Sequence, residues 1–488
     1  MLRNFLNGLN DKRIHIVGLS GAEGAAVAIF LIKYGIEENV EASDFVSKRE
    51  FKKSFLKLHF SLPEKKREEI LNSILNSKIK IHYKNDYLKN IEKADVIFAS
   101  QGWIKHKPNY PRLSKIFENE KYKFWSMTKM YLEFSNAKII GVTGSNGKST
   151  TAQLIYMMCK NSGKQVFFAG NDRSNIQILD KIEQMKPSDS FVLEISERQL
   201  LMPIQKSPHI AVITNIVPNH LDDHKTFRKY IEVKKRILKY QDKRDFTVLN
   251  FDNRITRRLA KVTKGKAFFF SRKNKLSKGA FLEGDKIIIK IDKEKEFVNS
   301  LNKIKIPGIH NIENILAASL AARLSGVSAT AIKKTVEEFK GMPERIEFVA
   351  EKGGRKFYYD IQSTTPEATI AALNTFSNKP CLILGGEHKE TEYNNLAKKI
   401  FQKTKLAVLL PGIGSKKIKN ELKRIKFKNL VETNTLKKAL NICIKDTKNS
   451  DIILLSPACA FFKREFIEKP KVSFYDLVKN IKVNKREP

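Results

Sequence analysis

The chain lacks three things: a long apolar run, a cysteine framework, and acids to match its bases. The longest apolar stretch near the N-terminus, Gly24-Ala-Ala-Val-Ala-Ile-Phe-Leu-Ile32, is far shorter than the roughly 20 residues a membrane helix needs. It follows a glycine-rich turn and carries no cleavage-site pattern, so neither membrane insertion nor a signal peptide is expected. The four cysteines, Cys159, Cys381, Cys443 and Cys459, form no C-x-x-C pair. That excludes a zinc cage and a disulfide framework, and points to reduced thiols in a cytoplasmic protein. Against 52 Asp and Glu stand 91 Lys and Arg, a net charge of +39. Such a charge suits nucleic acid or an anionic membrane. The lysines are spread along the chain, however, as at Lys52-Lys53, Lys333-Lys334 and Lys416-Lys-Ile-Lys419. With no arginine-rich tail and no aromatic-basic RNA-binding motif, they read as a solvated surface, and no nucleic-acid partner is expected.

What is present begins with Gly141-Val-Thr-Gly-Ser-Asn-Gly-Lys-Ser-Thr150. The apolar run Lys138-Ile-Ile140 before it reads as a strand, and Thr151–Met158 after it as a helix. Strand, glycine-rich turn, Lys-Ser and helix together hold a nucleotide triphosphate. Small residues let backbone N–H groups close on phosphate oxygens, and the helix N-terminus adds partial positive charge. Lys148 reaches the β/γ-phosphates and Ser149 offers a hydroxyl to Mg²⁺. The spacing Gly144-Ser-Asn-Gly147-Lys148 is tighter than the common G-x-x-x-x-G-K loop.

Length and pattern give an α/β protein of three blocks. The first, residues 1–125, opens with the strand Arg13–Val17, the loop Gly18-Leu-Ser20-Gly21-Ala-Glu-Gly24 and a helix through Tyr34. Asp44 ends a second strand, about where a nucleotide-binding βαβ unit places its acidic ribose contact. Asp95–Ser100 is a further strand, leading into Gln101-Gly102. The second block, 126–342, carries the phosphate loop and the strands Ser190–Glu194 and His209–Thr214. Lysine-rich Lys273–Ile304 reads as a small antiparallel excursion. The third block, 343–488, shows strands at Phe357–Asp360, Pro380–Gly385, Leu406–Leu410 and Asp451–Leu455, separated by helical patterns. The outer blocks are expected to be Rossmann-like, around a central phosphate-loop domain with a mostly parallel sheet.

Further segments carry chemistry. Glu194 ends a strand, so its carboxylate suits Mg²⁺ as a hard oxygen donor. Thr214-Asn-Ile-Val-Pro-Asn-His220-Leu-Asp222 is followed by Tyr230-Ile-Glu-Val-Lys234; then come His310-Asn311-Ile-Glu-Asn314, Pro343-Glu-Arg345 and Asp360. Singly, each has an ordinary reading. Glu194 would be an exposed strand end, His220 a capping residue, Lys234 a surface lysine, Asn311 and Asn314 turn residues, and Arg345 a surface ion-pair partner.

In this order behind this loop, they resemble the Mur ligase family of ATP-dependent amide-forming enzymes over essentially the whole chain. Gly308–Asn314, Ser363–Thr369, Gly385-Gly386 with Lys389, and Leu455–Ala460 carry the likeness further. The resemblance implies a UDP-binding, an ATP-binding and an amino-acid-binding domain. Its implied reaction adds glutamate to UDP-N-acetylmuramoyl-L-alanine through an acyl phosphate, in peptidoglycan precursor synthesis. D-glutamate is the first expectation and L-glutamate the alternative. Gly144, Ser145, Asn146, Gly147, Lys148, Ser149, Thr150, Asn311, Asn314, Arg345 and Asp360 would hold ATP. Ser149, Glu194, His220 and a carbamylated Lys234 would hold two Mg²⁺, with Mn²⁺ a substitute; Lys148, His220 and Lys234 would be catalytic. Gly18, Ser20, Gly21, Asp44, Gly102, Asn171, Ser196 and Gln199 would face the UDP substrate, and Thr364, Lys389 and Ser456 the glutamate. A monomer is expected.

The chain departs from the family at three places. The first loop carries Ser20 and an extra residue. The usual Ser-Lys after Asp360 is Ile361-Gln362, which removes a cation near the amino-acid site, and the run after Ala460 is Phe461-Phe-Lys463. A folylpolyglutamate-type ligase is disfavoured by the large block before the phosphate loop. A non-catalytic polyanion binder would explain the charge, but not Glu194, His220 and Lys234 in register.

Overall fold

The computed structural model describes residues 1–59, 62–100, 102, 111–170, 177–217, 226–292, 294–388, 392–459 and 474–481. Asn171, His220 and Lys389, named above, lie outside the described residues. So does the run from Ala460 to Ser473.

Three mostly parallel sheets organise the chain. In the first, β1 (Ile14–Val17), β2 (Val40–Asp44), β3 (Lys80–Tyr83), β4 (Val96–Phe98) and β5 (Phe124–Trp125) run parallel in the order β3-β2-β1-β4-β5. The chain leaves β1 toward β2 and leaves β4 toward β5. The order therefore reverses between β1 and β4, where such sheets bind ligands beyond the strands' carboxyl ends.

The second sheet holds β6 (Lys138–Thr143), β7 (Val166–Ala169), β8 (Ser190–Glu194), β9 (Ile210–Ile213), β10 (Phe246–Asn250), β11 (Lys266–Ser271), β12 (Gly279–Glu283), β13 (Lys286–Ile291) and β14 (Glu294–Ser300). Their order is β14-β13-β12-β11-β10-β9-β6-β8-β7. The lysine-rich excursion joins this sheet. β12 pairs parallel with β11, and β13 and β14 extend the edge antiparallel. Its short apolar runs, such as Ile287-Ile-Ile289, are buried, and that buried face ties it to the sheet. β6 is central, flanked by β8 and β9, and all three are buried along most of their length. A strand covered on both faces reads as a continuous apolar run, as Ile139-Ile140 and Ile210–Ile213 do.

The third sheet runs β15 (Glu347–Lys352), β16 (Arg355–Tyr359), β20 (Ile452–Leu455), β17 (Cys381–Leu384), β18 (Leu406–Leu409), β19 (Leu430–Glu432). Only the β15–β16 pair is antiparallel. The four strands expected from sequence are present, and β15 and β19 join them at the edges. Both edge strands are half-exposed and mix charge with apolar residues, which hides them in a hydropathy pattern. Alternate residues of β17 feed two separate cores, Leu382 and Leu384 on one face and Cys381 and Ile383 on the other.

The chain packs as two compact units, 1–300 with 313–335, and 301–312 with 336–488. The first two sheets share a core inside the first unit, where Phe30 and Leu31 belong to the same cluster as Tyr131, Leu179 and Ile182. No helix among the described residues is long and apolar enough to cross a membrane. All four cysteines are free and buried.

Candidate active site

The phosphate loop leaves the carboxyl end of β6 and enters the helix Lys148–Asn161. Gly147 sits at φ +81° and caps that helix; a Cβ there would lie 2.2 Å from Asn314 Oδ1. Positive φ and close approach both demand glycine. Residues following β9 brace the loop from beneath. Asn146 N donates to Asn215 Oδ1 at 3.0 Å, Thr214 Oγ1 donates to Asn146 O at 2.6 Å, and Ser145 Oγ donates to Val217 O at 3.0 Å. Thr151 Oγ1 donates to Asn314 Oδ1 at 3.4 Å, which brings the helix Ile309–Leu324 to the loop. Lys148 folds back over the loop, its Nζ donating to Gly144 O and Ser145 O at 3.0 and 3.1 Å. Ser149 and Thr150 follow, half-buried, in the first helical turn.

Two acids and a second lysine complete this corner. Glu194 ends β8 beside Val142 of β6 and is buried, which rules out the exposed strand end. Lys234 is fully buried, which rules out the surface lysine. Its helix, Phe227–Lys235, turns one face inward. Tyr230 and Lys234 share that face at i and i+4, and Tyr230 OH lies 3.0 Å from Ser145 Oγ. Lys234 Nζ donates to Thr143 Oγ1 at 3.1 Å and lies 3.5 Å from Glu197 Oε2. Burial first, and Lys148 second, lower the Lys234 amine to about 7; Glu197 and Glu194 oppose the shift. A buried lysine amine is thus brought close to neutrality next to the phosphate loop. Glu197 was not among the residues singled out from the sequence. Its signal was a second acid three residues after Glu194, at the first position of a helix.

Among the described residues, no group of three His, Cys, Asp or Glu side chains is gathered as a metal site. Mg²⁺ does not require one, because it keeps several waters and is usually held by one or two carboxylates plus substrate phosphates. A buried carboxylate at Glu194 and a hydroxyl at Ser149 fit that donor set, and the helix N-terminus beside them suits the phosphates.

In the first sheet, Gly18 adopts φ +76° and the loop bends over Asp44. Asp44 is fully buried, accepting from Ser20 N at 2.7 Å and Val46 N at 3.3 Å, so its carboxylate orders the loop. A small cavity opens at the ends of β1, β4 and β5, lined by Val17, Glu23, Phe98, Ser100, Trp125 and Ser126. This is the point where the strand order reverses. Burial pushes the Glu23 carboxyl up to about 7, which favours its uncharged form. Ser100 and Ser126 were not singled out because polar residues just past strand ends carry no periodic signal, nor was Glu23, in the first turn of the helix Ala22–Lys33. Gly21 caps the following helix, and Gly102 is exposed. Ser196 and Gln199 close a capping box on the helix Glu197–Leu201, so their polar groups hold that turn.

In the second unit, Asp360 follows β16 and is buried. It accepts from Ser456 Oγ at 2.7 Å and Ile346 N at 3.2 Å. Burial pushes it up to about 6, against the bonds from Ser363 and Ser456. Ser456 Oγ also meets Thr369 Oγ1 at 2.8 Å, and Thr364 N donates to Gln362 O at 2.9 Å. Arg345 is exposed, and Asn311 Nδ2 donates to Pro307 O at 2.6 Å. The structure thus gathers Lys148, Ser149, Glu194, Lys234 and Asn314 in the first unit, and Asp360, Thr364 and Ser456 in the second.

Residues 142–322 match the Mur ligase middle domain, and residues 344–459 the Mur ligase glutamate ligase domain. A UDP-N-acetylmuramoylalanine–D-glutamate ligase of Acetivibrio thermocellus is 36% identical over 94% of this chain and 94% of its own. One of the same name from Ruminiclostridium cellulolyticum is 32% identical over 99% of both. Among solved structures, UDP-N-acetylmuramate–alanine ligase of Thermotoga maritima is 18% identical and superposes with a TM-score of 0.54 over 92% of this chain and 96% of that one, a likeness of fold.

Proposed function

The chain belongs to the Mur ligase family, and we propose that it joins D-glutamate to UDP-N-acetylmuramoyl-L-alanine with cleavage of ATP to ADP and phosphate. The observation that carries the reading is the meeting of Lys148, Glu194 and the buried Lys234 around one glycine-rich loop. Neither a polyanion binder nor a structural domain has reason to bury a lysine there, because desolvating it is costly.

The mechanism follows from charge. A carboxylate is a poor electrophile. Its alanyl oxygen attacks the γ-phosphorus of ATP, the bond to ADP breaks, and an acyl phosphate forms. The neutral amine of glutamate then attacks the acyl carbon, phosphate leaves with the bonding pair, and the amine proton passes to solvent. Loop N–H groups and Lys148 hold the phosphates. Ser149 and Glu194 would hold Mg²⁺, which when bound offsets the phosphate charge that repels an anionic nucleophile. Lys234, near neutrality, is suited to take up CO₂, and the carbamate so formed is an anionic oxygen ligand. The cavity at the end of β1 and β4 is suited to the UDP group. Asp360 would contact the nucleotide, and Thr364 and Ser456 the amino acid. A UDP-linked substrate supports a cytoplasmic site of action.

Phosphate release from ATP with UDP-N-acetylmuramoyl-L-alanine tests the reading, with D-glutamate, L-glutamate and no amino acid compared. D-glutamate should stimulate release. Stimulation by L-glutamate alone would overturn the stereochemistry, and stimulation by neither would overturn the proposed acceptor.

A further inference from the structure

We propose that the amino-end edge of the third sheet, a lysine-rich rim set around Phe401, adsorbs to the surface of an anionic lipid bilayer. The contact is with headgroups, away from the ligase residues, and holds whichever amino acid the chain joins.

The lysines that look scattered in sequence are gathered here by the fold. Residues 398–428 hold eleven Lys and Arg and one acid, Glu421, against 91 and 52 in the whole chain. Two helices, Asn394–Lys403 and Ile413–Arg424, carry most of these bases. Leu396, Ala397 and Ile400 of the first and Ile418 and Leu422 of the second share one core, so the helices cover the same face of the sheet. Lys398, Lys416, Lys417 and Lys423 are exposed on their outer sides.

Each helix leads from the carboxyl end of one strand back to the amino end of the next, β17 to β18 and β18 to β19. Their last turns therefore finish at the amino edge. There Asn429 Nδ2 donates to Lys405 O at 3.0 Å and Ala407 N to Asn429 O at 2.9 Å, which ties the starts of β18 and β19 together. At the opposite, carboxyl edge Ser456 meets Asp360, and glycines hold the loops close. Gly385 N donates to Pro457 O at 2.9 Å. Gly412 sits at φ +146°, and a Cβ there would lie 2.1 Å from Gly386 O, an approach that only glycine allows. A four-residue strand separates the two edges by about 13 Å, so a partner on the amino edge leaves the carboxyl edge clear.

On the amino edge Phe401 is 52% exposed, its ring centroid 6.2 Å from that of Phe427. Lys423, Arg424, Lys426 and Lys428 gather at the same end, all exposed. Two acids of this edge are already paired, Glu421 with Arg424 at 3.1 Å and Asp451 with Lys405 at 2.9 Å. Ten of the eleven bases are lysines. Lysine is a hydrated point charge that adds to a diffuse field, whereas nucleic-acid recognition favours the arginine fork. A field of lysines around an exposed aromatic ring suits anionic headgroups, with the ring entering between them.

The test is cosedimentation of the full chain with vesicles of phosphatidylcholine alone and of equal parts phosphatidylcholine and phosphatidylglycerol. The wild type should bind the second and not the first. It should leave them as salt rises from about 0.1 M to about 1 M and the screening length falls from about 10 Å to about 3 Å. The triple variant Lys423→Glu, Lys426→Glu, Lys428→Glu should lower the partition at least about 100-fold, since each base near such a surface contributes about fivefold. Phe401→Ser should lower it about threefold to tenfold. A control of the same net charge, Lys52→Glu, Lys53→Glu, Lys57→Glu on the exposed side of the helix Lys48–Leu58, should keep its binding. Each variant is first shown to be folded by its thermal transition. Failure of the wild type to bind the anionic vesicles, or equal loss in both triple variants, overturns the proposal. So does tighter binding to polyuridylate that the first triple variant abolishes.

Discussion

The corner around β6 and the carboxyl edge of the third sheet both gather polar groups beyond strand ends, but they are built differently. The first is made from one contiguous run, Gly144–Thr150, braced by residues just past the neighbouring strand β9. The second takes single residues from the loops after β16, β17, β18 and β20, held by glycine contacts between loops. Phosphate recognition is a backbone property, so a short local sequence can encode it. Recognition of an amino acid needs side chains from several directions, and no local sequence encodes those. The difference predicts that changes in the first region abolish every partial reaction, whereas changes in the loops after β17 and β18 alter the response to amino acid alone.

The largest expected effects test the first half. Lys148→Ala and Lys234→Ala should each lower ligation at least about 10²–10³-fold, the cost of removing one preorganised charge partner. Near-normal turnover in either would break the comparison at its root. For Lys234 a direct readout exists: protein in ¹³C-bicarbonate should show a carbamate resonance that Lys234→Ala lacks. Next, Gly147→Ala forces a Cβ toward Asn314 at a backbone angle costing about 1–3 kcal/mol. ATP binding, measured by calorimetry, should weaken at least tenfold.

Gly412→Ala sharpens the second half. It should shift the loops at the third-sheet edge, raise the KM for glutamate and leave the KM for ATP within about twofold; equal changes in both would erase the distinction.

The smallest effect concerns Asp360, whose folded carboxyl stands near 6 against an ordinary 3.8. Above about pH 6 it is ionised in both states and its burial penalty is in force. As pH falls from 6 toward 3.8 the folded state takes up the proton first, and the penalty is lifted. Relative to Asp360→Asn, the wild type should gain thermal stability between pH 7 and pH 5. A difference independent of pH would contradict the assigned environment.

The same contrast explains what could be read from sequence. The phosphate loop, β6, β8 and β9 were legible because a buried central strand is a plain apolar run and a phosphate loop is contiguous. Lys234 and Asn314 were legible only through their family spacing; nothing in their own composition separates them from the other lysines and asparagines. Glu197 was not legible beside the loop. It becomes distinctive through a partner distant in sequence, Lys234. Asp44 was seen as a ligand contact, and the structure gives its carboxylate to the loop backbone, since a buried acid at a strand end meets the nearest N–H groups first.

The most direct measurement is mass analysis of the UDP-linked product after incubation with UDP-N-acetylmuramoyl-L-alanine, D-glutamate, ATP and Mg²⁺, run beside Lys148→Ala. The account predicts a mass gain of one glutamyl residue, stoichiometric with phosphate, for the wild type and none for the variant. An unchanged substrate mass with the wild type, or the same gain with Lys148→Ala, would contradict it.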